Sequence, residues 1–281
     1  MSDTIFLKDN LSGSVPTEIA KEVIKNIISQ VSILKVCKHE SMTSDTKVLP
    51  RLIDSGSASW VGEGEQIETT LPTFEYPTLK ACKLAVIVPV TREKLNDSII
   101  SVMGEVQQAM ADAFATAIDE AMIFGTNSPF ETNLVTSIGG QKIVTTDNLD
   151  TDLSNAMGLV EDNKYNCSNV LMGTTQKKVL RALANDNNYK GAINLTSAYE
   201  TPIEYVRNWN DTKALAITGD FSKAIVGTRE GMTYEILREA TIVSGEETIN
   251  LAQRDMIAIK ATIRLGFLVA DPKAFSMIVS A

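Results

Sequence analysis

The chain has little of what catalysis and metal chemistry ordinarily require. Of its 281 residues one is a histidine, His39, and imidazole is the commonest general base near neutral pH and the commonest metal ligand. Three cysteines, Cys37, Cys82 and Cys167, stand far apart with no CxxC pair, which argues against a disulfide framework or a zinc ribbon. No run of about 18 apolar residues occurs, so no transmembrane helix is expected. Met1 to Asn10 lacks the charged and apolar regions of a secretory signal, and the chain is expected in the cytoplasm. A formal net charge of -9 disfavours a protein built to grip nucleic acid, because neutralising phosphates takes lysine and arginine on one face. Loose, non-specific proximity to DNA stays open. Internal repeats and low-complexity tracts are also missing.

What is present is 44% hydrophobic and 22% charged residues, enough to bury a core as one large domain or two ordinary ones. The organising stretch is 92–125. Leu95, Ile99, Val102, Val106, Met110, Ala113, Ala117 and Ala121 recur at helical spacing, with Glu105, Gln108, Asp112, Thr116 and Asp119 on the opposite face. This predicts one long amphipathic helix, capped at Asn96 or Asp97 and stopped at Gly125. At about 1.5 Å per residue it makes a rod of roughly 40 Å, a spine for an extended subunit.

Ahead of the spine, 1–16 is polar and reads as an arm, followed by a helix from Thr17 to Ile33 and a strand from Lys47 to Ile53. The segment from Ala58 to Pro77 holds Trp60, Gly62, Gly64, Pro72 and Pro77 among the carboxylates Glu63, Glu65, Glu68 and Glu75. It can hardly pack a core. A projecting loop of this length is uncommon and usually functional. A β run, Leu79 to Val90, leads from it into the spine. After Gly125 come a loop-like region to Ile143, helices at 151–163 and 175–184, and strands at 169–172, 203–207 and 214–217. Together 145–222 reads as a compact α/β subdomain. From Lys223 onward the pattern is mostly β, at 224–227, 233–237 and 256–269, with a last strand after Asp271-Pro272.

Each candidate for chemistry has a plainer reading. Cys37 and His39 sit two apart with no third group to orient them, and an isolated cysteine is usually a small buried hydrophobe. Gly173 to Lys178 lies between a strand and a helix but lacks the spacing of a phosphate loop, so it reads as a capped helix start. Asp112, Asp119 and Glu120 form a solvated or intersubunit charge surface. Arg229, Arg238, Arg254 and Arg264 scatter without an aromatic platform for bases. No catalytic, cofactor-binding or metal-ligating set emerges, which points toward a structural role.

One ordered set of motifs then carries a resemblance. It runs Trp60-Val61-Gly62-Glu63-Gly64, Thr73-Phe74, Leu84 to Val90 with Thr91-Arg92-Glu93-Lys94-Leu95, and Asp97-Ser98 opening a long helix to Gly125. Late in the chain come Gly219-Asp220-Phe221-Ser222, Asn250 to Arg254, Arg264 and Asp271-Pro272-Lys273-Ala274-Phe275. From about Val15 onward the chain resembles the major capsid proteins of tailed bacteriophages, with the α+β Hong Kong 97-like capsid fold. The resemblance implies an N-terminal arm and first helix over 1–45 and an extended loop over 46–91. It implies a peripheral domain with its spine helix over 92–129, an axial domain over 130–222, and C-terminal peripheral strands over 223–281.

It further implies self-assembly into hexamers and pentamers of an icosahedral head around double-stranded DNA, with portal and scaffolding proteins as partners and no membrane. Assembly would take place in the host bacterial cytoplasm and the product would be the virion. Trp60, Glu63, Glu65, Phe74 and Tyr76 become the expected contacts between subunits, Trp60 and Phe74 as anchors. Some members of the family join subunits through a lysine–asparagine isopeptide bond promoted by a glutamate. Here Tyr76 follows Thr73-Phe74-Glu75, and Met256 to Ile263 holds neither asparagine nor glutamate, so no cross-link is expected. An N-terminal scaffold region is not evident in the short arm, so scaffolding would come from a separate protein or the sequence starts past a cleavage point. The rival readings are an encapsulin-like nanocompartment shell holding protein cargo and, from another class, a soluble α/β nucleotide-binding enzyme acting through 173–178.

Overall fold

A computed structural model describes residues 31–280 apart from 55, 57, 65, 67–68, 70, 93–98, 147, 186–191 and 245–246. Most of the expected helix at Thr17–Ile33, its arm, and the caps at Asn96 and Asp97 lie outside the described residues. Two sheets organise the rest. The first has four strands in the order β1 (Lys38–Ser41), β12 (Ala224–Leu237), β15 (Met256–Val269) and β6 (Cys82–Thr91), with an antiparallel pair, β13 (Thr241–Ser244) and β14 (Glu247–Asn250), between β12 and β15 in the chain. The second has six: β7 (Lys142–Val144), β16 (Phe275–Val279), β11 (Ala216–Gly219), β8 (Asn169–Gly173), β10 (Thr201–Val206) and β9 (Ser197–Ala198). The C-terminal stretch from 223, read as one unit in the sequence, is divided: β12 and β15 pair in the first sheet and β16 in the second.

The frame of the first sheet is the antiparallel pair β12–β15, registered from Ala224 with Val269 to Leu237 with Ala258. Sequence patterning predicts two strands here, separated at Thr228–Met232. The structure has one strand with irregularities on either side of Glu230, because the continuous apolar run of β15 supplies a paired partner through the gap. Bulges of this kind absorb the extra residues. Lys38–Ser41, expected within the arm, pairs in parallel with β12 as an edge strand.

The spine helix (Ile99–Asp119) continues as a wider π-turn, Glu120–Phe124, and stops at Gly125, which adopts a left-handed φ of 67°. A side chain at Gly125 would also strike Asn133, 2.5 Å away, whose own carboxamide caps the short helix Leu134–Ile138. The buried face differs from the expected one. Met110, Ala111, Phe114, Ala115, Ile118, Ala121 and Met122 are buried, whereas Ala113 is exposed. Alanine weighs little in burial compared with phenylalanine or isoleucine, so the stripe follows Phe114 and Ile118.

Asp119 is the clearest departure from the expected wet face: it is buried, and its carboxylate accepts from the Ser32 and Ile33 amides at 3.2 and 3.1 Å. It thereby caps a one-turn helix, Ser32–Val36, that the spine and the second sheet hold between them. Ser32 Oγ donates to the Tyr205 carbonyl at 2.9 Å, and Lys35 pairs with Glu204 at 2.5 Å.

The core is continuous between the sheets. Phe114, Ile118 and Phe124 of the spine pack with Ile259, Leu265 and Phe267 of the first sheet and with Leu171, Ile217 and Met277 of the second. Phe221 meets Phe275 edge-on at 5.3 Å, and Phe124 meets Trp209 at 5.1 Å. The other face of the second sheet presents Val170, Met172, Ala216 and Ile278 to Leu153, Ala156 and Met157 of the helix Leu149–Asp162. Being covered on both faces, β8 reads as an unbroken apolar run, as buried strands do.

Candidate functional site

Between β1 and β6 the chain leaves this body as the loop that the sequence singles out. Its base is a two-stranded ladder, β2 (Thr46–Val48) on β5 (Thr78–Lys80), and beyond it a second, β3 (Arg51–Asp54) on β4 (Thr73–Glu75). The expected single strand Lys47–Ile53 is broken at Leu49-Pro50, where proline cannot donate to a ladder. An antiparallel pair this short is marginal alone, so tertiary contacts must hold it.

The apolar ones centre on one spot. Leu79 is completely buried and packs with Met42, Ile225 and Leu268 in a small cluster separate from the main core. The floor beneath is Gly227 opposite Gly266, registered neighbours on β12 and β15. A side chain on Gly266 would come within 2.8 Å of the Lys80 carbonyl, and one on Gly227 would collide with Met42 and Leu79. Ionic ties supplement the socket. Asp45 accepts from Arg229 and from Arg264, the latter at 3.0 Å. Arg51 reaches Asp271 at 2.5 Å, and the same carboxylate accepts from the Tyr165 hydroxyl at 2.5 Å. Burial, with the Asp271 hydrogen bond next, pushes the Tyr165 hydroxyl up to about 12, so it stays a donor throughout the neutral range.

Past the socket the described residues of the loop bury nothing large. Trp60 is 105% exposed, Leu71 84%, Tyr76 63% and Phe74 49%. Leu52 and Ile53 join them as exposed apolar groups, with Leu52 directly opposite Phe74 in the ladder. Glu63 is exposed beside Gly64 in a turn, and Glu65 lies outside the described residues. Large apolar side chains concentrated on one projecting element mark an association surface. Leu52, Ile53 and Leu71 escape a reading that looks only for aromatics and carboxylates, although each is a large apolar residue in a segment without a core.

The other candidates settle into structural places. Cys37 is buried, and burial, aided by nearby Asp119, pushes its thiol up, away from the thiolate. His39 Nε2 lies 2.6 Å from the Leu34 carbonyl. The 173–178 stretch holds no open cradle: Gly173 is roofed by Trp209, 2.9 Å from where a side chain would start, and Lys177 lies 4.2 Å from the Tyr205 ring centre. Asp112 pairs with Arg207 at 3.4 Å. Among the described residues no group of three or more histidine, cysteine or carboxylate side chains could hold a metal ion, and no helix is long and apolar enough to cross a membrane.

Comparison with known proteins agrees with this geometry. The model of the phage capsid family matches residues 12–280. The major capsid protein of Staphylococcus phage 80alpha is 30% identical over 99% of this chain and 89% of its own length. A probable major capsid protein of Mycobacterium phage D29 is 22% identical over 97% and 90%. Among solved structures, a chain from Microbacterium phage Oxtober96 superposes with a TM-score of 0.77 at 27% identity, covering 100% of this chain and 95% of that one. The capsid of an empty GTA particle gives 0.63 at 16% identity, covering 90% of each chain. With a family match over nearly the whole sequence and an anchored body bearing an uncovered loop, the chain belongs to the phage capsid family, as a major capsid protein of the Hong Kong 97-like fold and a component of the virion.

Proposed function

We propose that copies of this chain close into pentamers and hexamers of an icosahedral head around double-stranded DNA, each copy laying its loop over a neighbour. The observation that carries this is the loop itself: a stem anchored through Leu79 and a tip on which Trp60 is fully exposed. Trp60, Phe74 and Tyr76 supply the apolar anchors and Glu63 and Glu65 the polar rim, the usual anatomy of an energetic hot spot. In this reading the first sheet and the spine are the peripheral domain, and most of the second sheet is the axial domain that meets the symmetry axes. Each contact need only be modest, because a closed shell repeats it.

The role is structural, with no turnover. Assembly takes place in the host bacterial cytoplasm with portal and scaffolding partners, and the acidic balance keeps the inner surface from clamping DNA. Negative-stain electron microscopy with sedimentation velocity on the purified protein tests the reading. Rings of five or six copies, or closed shells, support it. A compact monomer at every concentration, whose Gly56–Pro77 segment also resists protease, overturns it. Shells that run as single chains on a boiled denaturing gel are expected, because Tyr76 and β15 lack cross-linking chemistry; ladders of multiples would contradict that.

A further inference from the structure

The projecting loop is one-sided in charge. Between Leu52 and Leu79 the sequence has no lysine or arginine and five carboxylates, Asp54, Glu63, Glu65, Glu68 and Glu75. Glu75 is met by Arg51 of its own stem, but a tip that docks must bring Glu63, Glu65 and Glu68 with it, and they need a cationic seat. The body offers one at the root of the same loop. A cleft of about 340 Å³ is lined by Lys38, Arg51 and Lys223 against one carboxylate, Asp271. That carboxylate is already engaged by Arg51 and Tyr165, and Arg51 also meets Glu75 of its own stem at 3.5 Å, so Lys223 and Lys38 are the cations left to receive a further charge. Lys223 has no carboxylate partner among the described residues; its ammonium lies 5.8 Å from the Tyr165 ring centre. Lys38 reaches only Glu40, at 3.1 Å, from an exposed position. The chain's own tip starts at the far end of the ladder, beyond the Asp54–Thr73 pair, whereas the cleft adjoins the near end at Leu49, Pro50 and Pro77.

We propose that this cleft receives the acidic loop tip of a second copy of the chain, with Glu63 seated near Lys223 and Lys38. The proposal rests on the assembly reading and specifies its receiving surface. It has a structural corollary. Leu49, Pro50, Arg51 and Leu52 of the acceptor's own stem form part of the cleft wall, so seating one loop fixes the direction from which the next departs. The contact is head-to-tail, and such contacts close into rings when the rotation allows. Order in one loop then passes to the next around the ring.

The test uses assembled protein made from equal parts of isotopically light and heavy chains, treated with a water-soluble carbodiimide that joins an amine directly to a carboxylate. Peptide mass spectrometry is expected to find mixed-isotope links from Lys38 or Lys223 to a carboxylate within 54–75, lost when the assembly is dissociated first. Lys223→Glu and Glu63→Lys should each weaken association, by roughly two- to fivefold per contact as for other exposed ion pairs, read as a lower urea concentration for disassembly. Combining them should restore it. Links that run instead to Lys80 or Lys83, or a double variant no better than the weaker single one, would overturn the cleft while leaving assembly intact. Native protein that forms no oligomer at all would sink the assembly reading and this one with it.

Discussion

Strand β8 and strand β4 are both short, and their surroundings are opposite. Val170, Leu171 and Met172 of β8 are completely buried, on alternate faces of the second sheet. Thr73, Phe74 and Glu75 of β4 are all exposed. In β8 every apolar side chain finds its partner within the chain, so its identity is a matter of folding. In β4 and the tip beyond it, Phe74 has only Leu52 across the ladder and Trp60 is fully exposed, so in the proposed assembly their identity is a matter of association. The two kinds of hydrophobic residue should therefore separate under mutation.

The largest effect belongs to the body. Leu171→Ala leaves a cavity where the spine meets the second sheet and should cost about 2–5 kcal/mol of subunit stability, read from denaturant midpoints. Trp60→Ala inverts the pattern: subunit unfolding should move by no more than about 0.5 kcal/mol, while association loses about 2 kcal/mol or more per contact, as hot-spot truncations do. If the two variants behaved alike in either assay, the division would collapse. Between these lies the socket. Gly266→Ala pushes a methyl toward the Lys80 carbonyl and should cost about 1–3 kcal/mol by overpacking, with protease cutting within 46–80 as its signature; unchanged cutting would mean that the loop is held elsewhere.

A change confined to acid pH sharpens the comparison further. Burial, opposed by the Ile33 and Ser32 amides, raises the Asp119 carboxyl from 3.8 to about 6. The folded state therefore takes up this proton before the unfolded state as pH falls. Stability from this group declines as pH rises from about 4 to about 6 and is level above. Asp119→Asn keeps an acceptor for the amides and removes the proton, so its unfolding curve should lose that part of the pH dependence, a matter of about 1–3 kcal/mol between pH 4 and 7. Parallel curves for the two proteins would exclude Asp119 as the source.

Much of this architecture is legible in residue order. Period and punctuation locate the spine and its stop at Gly125, and β15 spans Met256–Val269 as its apolar run suggests. What escapes does so for identifiable reasons. Asp119 looks solvated because helical periodicity sees only its own helix, not the distant Ser32 and Ile33 amides that need an acceptor. The union of β16 with β11 and β7 depends on pairing across long sequence separations, which local patterning does not encode. The cleft escapes for the same reason: Lys38, Arg51, Lys223 and Asp271 come from four separate stretches. The loop is plain in the sequence, since Trp60, Gly64 and Pro72 in one segment declare that it has no core of its own.

The paired glycines beneath Leu79 carry a mechanical consequence. Leu79 rests on bare backbone and is keyed only from the sides, by Met42, Ile225 and Leu268, so the root of the loop is a small joint set apart from the main core. A shell of pentamers and hexamers sets identical chains at unequal angles to their neighbours. In the proposed shell, a joint of this size at the root of each loop would let one sequence meet those angles by adjusting there, leaving the packed body of every copy the same shape.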